Sequence, residues 1–182
     1  MKFLNNKSLV AILMFAFFLM AGNVMAQSDK SKRASPPAKA SGKVGNTQIV
    51  IDYSQPSVKG REIYGGLVPY GQLWRTGANE ATTFEVSNDV LIEGKPLAAG
   101  KYALFTIPGE KEWTVIFNEN TNQGGTGSYD ESLDALRITA KPKKAKEKME
   151  KMTFDVKNNG KVSLVWADTA VEFQVKEAKK KK

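Results

Sequence analysis

Apolar and polar residues alternate with a period of two through most of residues 47–176. In "TQIVIDY" (47–53) Ile49, Ile51 and Tyr53 share one face. "EWTVIFN" (112–118) repeats the pattern with Trp113, Val115 and Phe117, and "KVSLVWA" (161–167) with Val162, Leu164 and Trp166. "AVEFQVK" (170–176) places Val171, Phe173 and Val175 inward, with Glu172 and Gln174 outward. "KYALFTI" (101–107) is apolar on both faces. Period two means a pleated strand, and the β-branched and aromatic residues that dominate these runs pack well on a pleat. Turn residues punctuate them: "EGKPLAAG" at 93–100, Pro108-Gly109, "KNNGK" at 157–161 and "DTA" at 168–170. Asn-Gly between two strands is a strong hairpin signal. Strands recurring every 8–12 residues predict an all-β fold, a single-domain antiparallel β-sandwich of about eight strands.

Two stretches stand outside this rhythm. "AKPKKAKEKMEKM" (140–152) is charged, holds Pro142 and lacks an apolar stripe, which predicts a long exposed connection between strands rather than a packed helix. "GLVPYGQLWRTGANEATTF" (66–84) is too long for a hairpin turn and gathers Trp74, Arg75, Asn79 and Glu80 among glycines.

The N-terminus has a different character. Lys2 and Lys7 precede an unbroken apolar run from Leu9 to Ala21, and Val24-Met25-Ala26 places small residues before Gln27. That is the layout of a cleaved signal peptide over residues 1–26, and the apolar run is shorter than the roughly 20 residues a membrane span needs. The expected location is periplasmic or secreted, with a mature chain from Gln27 and no transmembrane segment after cleavage. Residues 27–46, rich in Ser, Lys, Ala and Pro, read as a flexible lead-in. The β domain is expected over 47–176 and a basic tail over 177–182.

Charge changes the picture less than the net +8 suggests. Residues 33–137 hold ten basic and twelve acidic residues. The positive excess sits in the lysines of 141–151 and 176–182, and no aromatic residue interleaves them. A nucleic-acid surface would combine the two, so no nucleic-acid partner is expected. The chain has no histidine and no cysteine. This excludes Ser-His-Asp triads, thiol catalysis and His- or Cys-ligated metals. No phosphate-binding glycine motif stands in a strand–helix context, and no cofactor is expected. Asp130, Glu131 and Asp134 are spaced suggestively for calcium but lack the glycine and ligand count of a known loop. A solvated strand entry is the expectation there.

The segment "YSQPSVKGREIYGGLVPYGQLWRTGANEATTF" (53–84) resembles the signature of the DUF2911 family, uncharacterised exported proteins common in Bacteroidetes. The resemblance runs from Ser35-Pro36-Pro37 through "LAAGKYALFTIPGEKEWTVIFN" to the last strand. It implies an all-β domain and carries no established activity. Some members are joined to helical repeats, which implies assembly or scaffolding roles. Similar sequences have an aromatic residue near Gly124 or Gly125, where this chain has only "NQGGTGSYD".

Residues 66–84 admit two readings. In one they are a structural plug: Arg75 pairs with Glu80 around Gly77, Asn79 takes a left-handed turn, and Trp74 anchors the loop. In the other they face a cleft. Arg75, with Lys59 and Arg61, then binds a carboxylate, phosphate or sugar, and Trp74, Tyr64 or Tyr70 offers a stacking face. The leading expectation is a non-enzymatic module binding a small polar ligand or an envelope protein, through Lys59, Arg61, Tyr64, Trp74, Arg75, Asn79 and Glu80. The alternative is a glycosidase-like, carboxylate-dependent hydrolase using Glu80 with a second acid. Oligomeric state is not encoded in these patterns.

Overall fold

The computed structural model describes residues 29–178. The signal peptide expected over 1–26 and most of the basic tail lie outside them. The chain divides at Lys30/Ser31 into two units, and the β fold belongs to the second. Its ten strands are β1 (Pro37–Val44), β2 (Thr47–Ser54), β3 (Thr82–Val86), β4 (Val90–Ile92), β5 (Lys95–Leu97), β6 (Gly100–Ile107), β7 (Trp113–Asn118), β8 (Asp134–Ala140), β9 (Lys143–Val156) and β10 (Lys161–Glu177). They form a six-stranded sheet in the order β1-β2-β3-β6-β7-β8 and a four-stranded sheet in the order β5-β4-β10-β9. Every pairing is antiparallel.

The two sheets face each other as a sandwich. Ile49 and Ile51 of β2, Phe84 of β3 and Phe117 of β7 are buried against Val162, Phe173 and Val175 of β10 in one continuous core. Phe84 and Phe117 meet edge-on at 5.1 Å, and Phe117 meets Phe173 across the sandwich at 6.0 Å. The central strand β6 is buried on both faces, as its sequence predicts. Ala103 and Phe105 face away from the main core, into a second small cluster with Ala81 and Ile116. Leu73 and Tyr129, from connecting segments, cover that cluster.

Three stretches differ from their expectation. Residues 37–44, within the expected lead-in, form edge strand β1, paired residue for residue with β2. Their alternation is weak because only Ala40 is fully buried, so composition alone suggested a tail. The lysine-rich 140–152 stretch is strand rather than connection. Most of it is the first half of β9, whose lysines stay exposed while Met152, Phe154 and Val156 enter the core. A lysine-studded edge strand needs no apolar stripe and resists pairing with other chains. Residues 168–170 form no turn: β10 runs through them and is kinked by register shifts on either side of Ala167, whose φ is +53°.

The β9–β10 hairpin closes as the Asn-Gly signal requires. Gly160 has φ +81° and its N–H donates to Lys157 O at 2.8 Å. Its carbonyl accepts from Val175 N at 2.8 Å, and a Cβ at Gly160 would run into the Val175 carbonyl oxygen. Gly160→Ala combines a left-handed alanine with a backbone clash, so a loss of about 2 kcal/mol or more is expected. Thermal unfolding should show a midpoint lower by about 5 °C or more. An unchanged midpoint would mean that the turn does not have this geometry.

Candidate functional site: a cleft beneath the β2–β3 connection

The chain leaves β2 at Ser54 and re-enters a strand only at Thr82. Short backbone bridges hold this long connection in place. Ser57 pairs with Lys151 of β9, and Trp74 pairs with Thr106 of β6. The Trp74–Thr106 bridge has both hydrogen bonds, at 2.8 and 2.9 Å. It occupies the flank of β6 just beyond the end of β3, which pairs no further than Thr82 with Leu104.

Trp74 is thereby part of the core, 8% exposed. Its ring stacks on Trp166 of β10 at 5.9 Å and 20°, and meets Trp113 of β7 edge-on at 6.4 Å. Tyr64 packs edge-on against all three indoles, nearest Trp113 at 4.9 Å. Burial, more than the nearby Tyr70 and Asp168, pushes the Tyr64 phenol well above its ordinary range. The Trp74 indole N–H donates to Gly77 O at 3.1 Å. Thr76, buried at φ +54°, is held by Thr106 Oγ1 at 3.1 Å and by Thr82 Oγ1, which donates to its carbonyl at 2.7 Å. Gly77 passes so close to this knot that a Cβ there would sit 2.8 Å from Thr82 Oγ1. The middle of the stretch is thus the ordered plug that one reading describes.

Beside the plug lies a cleft of about 310 Å³. Arg61, Trp74, Arg75 and Trp166 line it, with apolar walls from Pro56, Leu67 and Val68 and a rim at Ser35. Two of these residues carry buried N–H groups without a hydrogen-bond partner: Arg75 Nε and Trp166 Nε1. Buried donors are nearly always paired in folded proteins, so two orphans on one cleft set it apart. Each is followed directly by a non-glycine residue in left-handed conformation, Thr76 at φ +54° and Ala167 at φ +53°. Such backbone is costly and gathers at ligand sites.

The other candidate residues are dispersed around this centre. Arg61 lines the cleft, but its guanidinium donates to Val58 O at 3.0 Å and Ser57 O at 2.6 Å. Glu80 does not pair with Arg75. It accepts from Arg33 at 2.9 Å on both oxygens and is half exposed. The proposed pair fails because Thr76, Gly77 and Asn79 turn the chain within five residues and carry the two side chains apart. Asn79, at φ +58°, takes the expected left-handed form and donates to Ser35 O at 3.0 Å. Lys59 is exposed, with its backbone N–H on Glu150. Tyr64 and Tyr70 line a second, more polar cleft of about 390 Å³ with Arg61, Glu62, Lys148 and Asp168. Glu62 and Asp168 are both exposed.

The acidic "YDESLD" stretch is consumed by its own structure. Asp130 accepts from Ser132, while Asp134 accepts from Asn118, Tyr129 and Arg137. Burial and the Asp134 hydrogen bond push the Tyr129 phenol up to about 12. Among the described residues no group of acids is arranged to hold a metal ion. A Cβ at Gly124 or Gly125 would meet nothing within 4 Å, so the loop that lacks an aromatic there is open. The pattern-based reading missed Trp166, placing it with Val162 and Leu164 as ordinary core.

Variants should separate plug from cleft. Trp74→Ala is expected to cost about 3–5 kcal/mol, as for other buried aromatics, and to lower the unfolding midpoint by about 10 °C. Arg75→Ala removes an unpaired donor and is expected to leave the midpoint within about 2 °C of the parent or to raise it. A large fall with Arg75→Ala would place Arg75 in the plug.

No helix among the described residues is long and apolar enough to cross a membrane. No curated protein and no solved structure matches the chain. Residues 35–175 match the family described as "Protein of unknown function (DUF2911)". That match spans both sheets and the cleft between Ser35 and Trp166, and the chain belongs to the DUF2911 family.

Proposed function

We propose that this protein is an exported, non-enzymatic binding module of the periplasm or envelope, and that the cleft beneath the β2–β3 connection holds a small polar ligand. One observation carries this reading: two residues that line the same cleft, Arg75 and Trp166, each carry a buried N–H with no acceptor among the described residues. Leaving a donor buried and unpaired costs about 1–3 kcal/mol. A ligand acceptor would offset both costs at once. The cleft also has the composition of a binding site, with aromatic and apolar walls and a few converging polar groups. Its volume is at the lower end of the range for small-molecule pockets.

The hydrolase reading has less support. Glu80 is not among the cleft-lining residues, and Arg33 occupies both of its oxygens. A general acid is made by burial away from cations. The two acids of the second cleft are both in water.

A thermal-shift screen of the mature chain against sugars, organic acids, amines and nucleosides tests the proposal. A ligand present at 100 times its Kd adds about 2.7 kcal/mol. That should raise the midpoint by roughly 5–10 °C, with the rise reduced in Trp166→Phe, which keeps a buried ring and removes the N–H. A screen in which no compound shifts the parent, or in which Trp166→Phe keeps the whole shift, would overturn it.

A further inference from the structure

We infer that the cleft selects a monoanionic ligand with an apolar body: a small carboxylate whose two oxygens accept from Arg75 Nε and Trp166 Nε1. This rests on the reading of the cleft as a binding site and narrows it to a chemical class. Of the buried polar atoms without a partner among the described residues, the two on cleft-lining residues are donors, and the one acceptor, Gln123 Oε1, belongs to a residue outside the lining. Neither Asp nor Glu lines the cleft, while two arginines do. A saccharide or an amine brings N–H or O–H groups that need acceptors, and these walls supply few beyond backbone carbonyls already in use. Gly77 O accepts from Trp74, and Arg61 takes the Val58 and Ser57 carbonyls just behind. An anion brings acceptors alone.

Charge points the same way. Arg75 makes no ion pair with a described residue, and Arg61 is tied to neutral carbonyls rather than to a carboxylate. Neither arginine of the cleft is therefore tied to a carboxylate by an ion pair among the described residues. The apolar remainder of the lining favours a singly charged carboxylate over a phosphate. A guanidinium N–H and an indole N–H from two residues that line one cleft match the two oxygens of a carboxylate, with one charge-assisted bond and one neutral bond. The rest of the lining is Pro56, Leu67, Val68 and the paired indoles, which contact an apolar body and would exclude a second charge. The cleft volume is about ten water volumes at roughly 30 Å³ each, enough for a ligand of about a dozen non-hydrogen atoms.

The backbone fixes the two residues that carry these shielded donors. Thr76 and Ala167 are non-glycine residues in left-handed conformation, and each lies one residue after a donor. In β10 the register shifts around Ala167, so Trp166 stands where the ladder with β9 is interrupted. In the connection Thr76 is locked by Thr106 and Thr82. Both donors are thus carried on backbone fixed by its surroundings, so that only side-chain movement is needed to bring the shielded N–H groups to a ligand.

Titration calorimetry of the mature chain at low salt tests this with sodium phenylacetate, sodium hexanoate, neutral phenylacetamide and inorganic phosphate. Phenylacetate or hexanoate should bind at least tenfold more tightly than phenylacetamide, and phosphate should give no saturable heat. Arg75→Ala should weaken the carboxylate at least tenfold with its unfolding midpoint kept, and Trp166→Phe should weaken it several-fold. Raised salt should weaken it as well. Equal binding of acid and amide, or an unchanged affinity in Arg75→Ala, would overturn the anion class while the cleft remains a binding site. Silence from both carboxylates would overturn it too. If a neutral compound still stabilises the chain through Trp166, only the chemical class falls; if no compound does, the site falls with it.

Discussion

The stack of Trp74 on Trp166 is the contact on which the rest of the arrangement depends. Trp166 belongs to the four-stranded sheet, Trp113 to the six-stranded sheet, and Trp74 and Tyr64 to the long connection between β2 and β3. The four rings meet at one end of the sandwich, with centroids 4.9–6.4 Å apart. Each buries a large apolar area and gains further from edge-on or stacked geometry. This cluster allows a connection with almost no regular structure to be as well fixed as the strands. It also sets the position of everything that follows Trp74, including Arg75 and the turn through Gly77.

The same cluster imposes a cost. A buried indole must find an acceptor for its N–H, and the Trp74 indole does so through Gly77 O. The Trp166 indole does not. Its neighbour across the cleft, Arg75, likewise carries an unmatched donor. The left-handed residues at 76 and 167 add strain at the same two points. A fold selected for stability alone would relax all four features. Their coincidence at residues of one cleft, beside the ordered plug, is what supports the proposed binding reading.

Much of the architecture was legible because period-two alternation survives in β2, β7 and the two halves of β10. The misreadings have physical causes. In β10 the inward positions are 162, 164 and 166 and then 171, 173 and 175. A change of parity fits a turn between two strands or a bulge within one. Asp168 and Thr169 favoured the turn, and the structure has the bulge. β1 and the first half of β9 are edge segments with few buried residues, so little alternation marks them. For the site, Trp74, Arg75 and Arg61 stood out as unusual loop residues and do line the cleft. Trp166 did not stand out, because its position in a strand pattern is that of a core residue; only its missing acceptor distinguishes it. The Arg33–Glu80 and Asn79–Ser35 contacts join residues more than forty positions apart, and no local pattern carries that information.

The central claim is that the Trp166 indole N–H is held ready for a ligand acceptor while the Trp74 N–H is already engaged. The mature chain labelled with ¹⁵N tests it directly, since its three tryptophans give three indole signals that Trp→Phe variants assign. On titration with phenylacetate the account predicts that the Trp166 indole proton moves downfield with saturation, while the Trp74 indole proton moves much less. A Trp166 signal that stays fixed while Trp74 or neither responds would contradict it.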